Sequence, residues 1–322
     1  MIFIKNSKTS ISVAGSSGFI GNHLLNFLSK RNDVEIRALI TEKHERKNFI
    51  EDDVTIIEGN LKLPETLNGF VSPGGTVVNL VHLKGRSKDE NLKAMNNLAE
   101  VCTKNKIKRL IHCSTAVVVG RVPDEIIDEN TKPNPRKEYE KTKLSVERLF
   151  LNKYGDSFEV VILRPTGVFG PGGQNLLKMA NDLSRGKKFK NYLKSCLFNQ
   201  RKMNLVYIDN VISAIVFLID TPQNIGQEIF IISDDEYQSN NYRDIEKHMI
   251  KRFGYKDYYF PRFPTSSVVL SFLLRMYGKS NLNPNSIYDC RKILNAGFKK
   301  PVLFKEALDY FTDWYKEIIE KS

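Results

Sequence analysis

The stretch "VAGSSGFIGNHLLNFL", residues 13–28, decides how the rest of the chain is read. Glycines at 15, 18 and 21 fall three apart, directly after the apolar run "SISVA" and directly before residues whose apolar members recur at helical spacing. A strand, a tight glycine turn and a helix in that order form a floor for phosphates: Gly15 permits the turn, Gly18 lets the backbone approach a pyrophosphate, and Gly21 lets helix and strand pack closely. The free amides of Ser17, Gly18, Phe19 and Ile20 then open the helix toward an anion. A glycine triplet also fits an ordinary structural turn, so the reading needs support from elsewhere in the chain.

Outward from this stretch, strand-like runs "VEIRALI", "VTIIEG", "TVVNLVHL", "RLIHCS" and "EVVILRP" alternate with segments such as "ENLKAMNNLAEVCTK" and "YEKTKLSVERLFLNKYG", whose apolar residues recur at three and four. That rhythm predicts a parallel sheet covered by helices on both faces. After Pro165 it breaks: a helix is expected over roughly 174–186, then "NLVYI" and "DNVISAIVFLI", "GQEIFIIS", a helix near 241–253, an apolar helix in "SSVVLSFLLRMYG" and a C-terminal helix. The expected organisation is a dinucleotide-binding domain over 1–168, also receiving roughly 203–221, and a smaller discontinuous C-terminal substrate lobe over 169–202 and 222–322.

Composition narrows the class. The 322 residues are 41% apolar and 27% charged, as in globular proteins, and no apolar run reaches the ~20 residues of a membrane span. The first residues carry Lys5 and Lys8 and no small-residue cleavage site, so a cytoplasmic location is expected. Four cysteines without a CxxC pair argue against a disulfide framework or a metal centre. The net charge of +12 is spread along the chain, without an aromatic-and-basic stripe for nucleic acid, and its positive field favours an anionic small-molecule substrate.

Catalytic candidates lie downstream. Tyr139 and Lys143, four apart in "YEKTK", share one face of a predicted helix, where an ammonium favours the phenolate and makes the tyrosine a usable proton carrier. A surface helix pair has the same spacing. Thr115 ends the strand "RLIHCS" on the edge where open α/β sheets place ligands, and a helix cap or buried hydroxyl is its alternative role.

The glycine turn, the threonine at a strand end and the YxxxK pair resemble the extended short-chain dehydrogenase/reductase family, also called the NAD-dependent epimerase/dehydratase family. The similarity continues in "EGNLKLPETL", "NLKAMNNLAEV", "LRPTGVFGPGG", "NLVYIDNVISAI" and "DCRKILNAGF", and so spans nearly the whole chain. It implies a Rossmann-type doubly wound α/β sheet, Tyr139 as acid/base, Lys143 on the nicotinamide ribose lowering the tyrosine pKa, and Thr115 orienting the substrate oxygen. It also implies cofactor contacts at Thr41, Asn60, Leu61, Leu80, Asn91 and Pro165, with a packing role as the alternative for Asn91. His82, Asn175 and Arg201 are substrate candidates, against packing for His82 and a helix cap for Asn175. A homodimer is common in similar proteins.

The second strand ends Leu39-Ile40-Thr41 without the carboxylate that grips the ribose of NAD, while Lys43 and Arg46 fit a 2′-phosphate. The cofactor expectation is therefore NADP or NAD, leaning to NADP, with surface charges as the alternative reading of those two residues. Ala116 and Val117 stand where similar dehydratases carry Asp-Glu, which argues against water elimination. A nucleotide-linked sugar is the expected substrate, with reduction of a UDP-4-keto-hexose ahead of 4-epimerisation. Reduction of a small non-sugar ketone and non-catalytic dinucleotide sensing are the remaining alternatives.

Overall fold

The computed structural model describes residues 8–41, 54–186, 188–276 and 283–321. In chain order the elements are β1 (Thr9–Ala14), α1 (Phe19–Leu28), β2 (Val34–Ile40), β3 (Val54–Glu58), β4 (Thr76–Asn79), α2 (Lys88–Lys104), β5 (Arg109–Cys113), β6 (Ile126–Ile127), α3 (Glu138–Tyr154) and β7 (Glu159–Pro165). They continue with β8 (Gly167–Phe169), α4 (Leu177–Ser184), α5 (Lys188–Phe198), β9 (Leu205–Tyr207), α6 (Ile208–Asp220), β10 (Glu228–Ile232), α7 (Tyr242–Arg252), α8 (Ser267–Met276), β11 (Ile287–Tyr288), α9 (Arg291–Asn295) and α10 (Phe304–Glu320).

A seven-stranded sheet runs in the order β10-β7-β5-β4-β1-β2-β3, and the neighbours from β7 through β3 pair in parallel. The chain moves outward from β1 through β2 to β3 and then returns to the other side of β1 at β4. Right-handed crossovers on the two sides of that reversal put the following helices on opposite faces. One face is filled by Val77, Leu110, Val160 and Ile162 packed with Ala94, Leu98 and Cys102 of α2 and Val146 and Phe150 of α3. The alternate strand residues Ile11, Val13, Val78, Ile111 and Val161 are buried as well, so both faces are covered, as the near-continuous apolar strand runs require. This is the doubly wound Rossmann-type architecture that the alternation predicts. Its reversal between β1 and β4 is the point where such sheets take their ligands.

Two compact units are present. The first comprises Met1–Thr115, Glu138–Arg164 and Ile215–Phe230, and the second Ala116–Lys137, Pro165–Ala214 and Ile231–Ser322. The second unit holds the pairs β8–β9 and β6–β11 and a packed set of helices that includes α4, α5, α7 and α10. Within it Phe169 meets Tyr207, Phe304 and Phe311 at ring distances of 5.4, 5.8 and 6.2 Å. Its buried Asp234 accepts from the Tyr207 amide at 2.9 Å and pairs with Lys300 at 3.0 Å. Among the described residues no helix is long and apolar enough to cross a membrane.

Candidate active site

The glycine turn is built as its spacing demands. Gly15 has φ +84°, and a Cβ there would meet the Leu80 carbonyl carbon at 3.1 Å and the Val81 nitrogen at 3.2 Å, so both conformation and space select glycine. A Cβ at Gly21 would stand 2.2 Å from the Gly15 oxygen and 2.6 Å from that of Ser16, which is why the third glycine can tuck α1 against the turn. Gly18 is the N-cap of α1 and carries no side-chain cap, and the first turn holds no acidic residue. The Gly18 amide donates to the Gly15 carbonyl at 3.2 Å, and the positive end of the helix offers its first-turn amides to an anion without a side-chain competitor. Ser16, which the spacing did not single out, is fully buried and donates to the Leu39 carbonyl at 2.7 Å, tying the turn to the end of β2.

On the same edge of the sheet stand the three catalytic candidates. Thr115 follows β5 and its hydroxyl shares a hydrogen bond with that of Tyr139 in the first turn of α3. One turn on, Lys143 is buried and its Nζ donates to the Cys113 carbonyl at 3.0 Å. Tyr139 is 44% exposed, yet burial is the main influence on its hydroxyl and holds the phenol above its ordinary pKa. Cys113 acts in the same direction and the bond with Thr115 opposes both. Burial also pushes the Lys143 ammonium below its ordinary value, against the pull of Cys113 and Glu147. In the chain by itself the Lys143 ammonium is engaged by a backbone carbonyl, and burial is the largest influence on the Tyr139 phenol.

Four further polar side chains shape this edge. His82 sets its ring edge-on to Tyr139, with centroids 4.8 Å apart. Burial, then the charges of Lys143 and Lys84, drop the His82 imidazole to about 4, so it is neutral near pH 7. Buried His112 sits behind it, with Nδ1 accepting from Asn79 Nδ2 at 3.1 Å. Because an amide nitrogen only donates, the His112 proton lies on Nε2, which has no hydrogen-bond partner among the described residues. Asn79 also accepts from the Val81 amide at 3.1 Å. Asn91 clamps the loop after β4 by accepting from the Leu83 amide at 2.9 Å and donating to the carbonyls of Leu83 and Ser87 at 3.2 and 3.0 Å. Asn79 and His112 carried one signal in the sequence, a polar residue inside a strand run that is otherwise apolar.

The other predicted contacts are placed as follows. Leu80 donates its amide to the Ala14 carbonyl at 2.9 Å, beside the turn. Asn60 closes an Asx turn by accepting from the Lys62 amide at 2.9 Å, and Leu61 is buried in the core with its carbonyl held by Asn97. Thr41 is exposed at the end of β2, and Pro165 closes β7. Lys43 and Arg46 lie outside the described residues. In the second unit, exposed Asn175 donates to the Val168 carbonyl at 2.7 Å, and Arg201, lowered by burial, lies over the Phe198 ring at 5.6 Å.

The sequence model of the NAD dependent epimerase/dehydratase family matches residues 11–233. A decarboxylating sterol-4-alpha-carboxylate 3-dehydrogenase of Candida albicans is 23% identical over 98% of this chain and 99% of its own length. A UDP-glucose 4-epimerase of Vibrio cholerae is 28% identical over 70% of each chain. Among solved structures, the NAD complex of UDP-glucuronic acid 4-epimerase from Bacillus cereus superposes with TM-score 0.69 at 22% identity, covering 96% of this chain and 99% of that one. A dTDP-glucose 4,6-dehydratase from Bacillus anthracis reaches 0.73 at 16% identity, covering 97% and 98%. With the glycine turn, the paired hydroxyls and the buried lysine on one sheet edge, the chain belongs to the NAD dependent epimerase/dehydratase family, as an enzyme of the extended short-chain dehydrogenase/reductase type.

Proposed function

We propose that this protein transfers hydride between a nicotinamide cofactor and a nucleotide-linked sugar, reducing a UDP-4-keto-hexose, with 4-epimerisation of a UDP-sugar as the alternative outcome of the same chemistry. The observation that carries the reading is the Thr115–Tyr139 hydroxyl pair, one helical turn from buried Lys143 and on the sheet edge that bears the glycine turn.

The residues present fit a dinucleotide: Gly15 and Gly21 let the turn and α1 close tightly on each other, and the first turn of α1 has no side-chain cap. In this reading the amides of residues 17–21 hold the diphosphate and Leu39 to Thr41 lie along the adenosine ribose. Asn60 and Leu61 would contribute to holding the adenine half and Leu80 and Pro165 the nicotinamide half, with Asn91 fixing the loop that carries Leu80. The bound nicotinamide supplies or accepts the hydride. Tyr139 Oη delivers the proton to the developing alkoxide, Thr115 Oγ1 holds that oxygen in line, and Lys143 places its charge where the phenol must recover a proton. A protonated phenol can donate to a carbonyl oxygen, and burial acts to keep Tyr139 in that form. Ala116 and Val117 offer no acid or base for eliminating water. Asn175 and Arg201 supply the polar and cationic groups for the nucleotide part of the substrate. The absence of a carboxylate at Leu39-Ile40-Thr41 leans the preference toward NADP.

The sterol dehydrogenase relative supports a second reading, oxidation of a lipophilic alcohol at the same hydroxyl pair. Purified protein incubated with UDP-hexoses, their 4-keto forms or a hydroxysteroid, each with NAD(P)+ or NAD(P)H, separates the three. Stoichiometric oxidation of reduced cofactor by the keto sugar establishes reduction, and interconversion of UDP-hexoses without net oxidation establishes epimerisation. Turnover of the hydroxysteroid alone overturns the sugar assignment.

A further inference from the structure

The second unit carries a surface that the proposed chemistry does not use. Residues 183–208 contain seven Lys or Arg and no Asp or Glu, and residues 258–288 contain three and none. The structure joins these two stretches: Tyr192 in α5 donates to the Pro261 carbonyl at 2.9 Å, and the Thr265 amide donates to the Cys196 carbonyl at 3.2 Å. From this joined region large apolar side chains project outward. Phe260, Phe263 and Phe272 are 61–68% exposed, and Val268, Phe272 and Met276 form an i, i+4, i+8 stripe along the outer side of α8 while Leu270 is buried beneath it. Exposed Phe189 opens α5 between exposed Lys188 and Lys190, and Arg275 lies within the last turn of α8.

Scattered exposed apolar residues are ordinary, but an apolar stripe flanked by cations is not. Arg262 and Lys194 are paired with Asp257 and Asp182, and exposed Lys188, Lys190 and Arg275 supply the positive rim. We infer that this surface of α5, α8 and the segment between Tyr258 and Ser266 docks onto an anionic lipid bilayer, with the aromatic tips entering the acyl boundary and the cations meeting the headgroups. Charge selects the occupant. A second copy of the chain set symmetrically on the same patch would bring Lys188 and Lys190 against their own equivalents, whereas anionic headgroups neutralise them. The attachment lies flat on the bilayer, since no described helix can span it. The inference holds for either substrate class, so its test is independent of the assignment above.

Flotation of the full-length protein with vesicles of phosphatidylcholine alone and of phosphatidylcholine with phosphatidylglycerol tests it. The protein is expected to float with the anionic vesicles, to remain behind with the neutral ones, and to be released by added salt. The double variant Phe260→Asp with Phe272→Asp is expected to bind about tenfold more weakly, and Lys188→Glu with Lys190→Glu to lose the dependence on phosphatidylglycerol. These side chains are exposed, and circular dichroism and the thermal midpoint verify that each variant is folded. Failure to float with anionic vesicles, or flotation unchanged in both double variants, overturns the inference. So does light scattering that shows a dimer broken by Phe260→Asp with Phe272→Asp in a protein that never binds vesicles.

Discussion

In the proposed reaction two hydroxyls and an ammonium carry the chemistry, and each is set by a neighbour that does not react. The Gly21 position is the least tolerant of them, because a methyl group there strikes the backbone oxygens of Gly15 and Ser16, which cannot rotate away. Gly21→Ala is expected to cost about 1–3 kcal/mol in folding stability by overpacking and to abolish dinucleotide binding, measured by denaturant melts and by titration of NAD(P)H fluorescence. His82 sets an acid limit. Its folded value of about 4 lies below the ordinary 6.5, so as pH falls through that window the unfolded chain takes up a proton that the folded chain resists, and stability declines. Above 6.5 the effect is absent. Buried His112 is shifted in the same direction. His82→Phe is expected to keep the ring contact with Tyr139 and to flatten the fall of thermal midpoint between pH 6.5 and 4, and an unchanged slope would assign the acid sensitivity elsewhere.

At the scale of elements, α3 must present Tyr139 and Lys143 at a fixed height above the sheet. It is anchored by a buried ion pair: Arg164 at the end of β7 grips Glu147 of α3 through Nε at 3.0 Å and a terminal nitrogen at 2.6 Å, both side chains at most 3% exposed. Arg164→Ala leaves Glu147 as an uncompensated buried charge and is expected to cost about 3–5 kcal/mol, read by urea denaturation. Replacing both, Arg164→Met with Glu147→Leu, is expected to restore most of that stability, since the penalty comes from the orphaned carboxylate and not from the loss of attraction. On the opposite side of the turn, Ser87 and Glu90 form a capping box at the start of α2, and Asn91 holds the preceding loop from within the same helix. Helix α3 and the loop before α2 are therefore each held by their own polar anchor.

For the whole molecule, the reversal between β1 and β4 brings together a turn at residues 15–21 and a YxxxK pair more than a hundred residues later. Its parts were legible in the sequence because each is local: the glycine spacing, the four-residue step of Tyr139 and Lys143, and the apolar runs that only a doubly covered sheet can bury. What was not legible depends on distant partners. Ser16 bonding Leu39, Asn79 bonding His112, and Lys143 settling on the Cys113 carbonyl join positions that only the fold brings together. The helix α5 was missed because "KFKNYLKSCLF" mixes lysines with apolar residues and leaves much of both exposed, so it lacks a clean amphipathic stripe. The pairs β6–β11 and β8–β9 are two and three residues long, too short to show a period. The account as a whole rests on proton transfer at Tyr139 coupled to hydride transfer, and Tyr139→Phe tests it most directly. A single-turnover measurement of nicotinamide absorbance with a 4-keto sugar nucleotide is expected to show hydride transfer in the wild type and a loss of about 10²–10⁴-fold in the variant, with cofactor affinity and thermal midpoint nearly unchanged. Hydride transfer at the wild-type rate in Tyr139→Phe would contradict it.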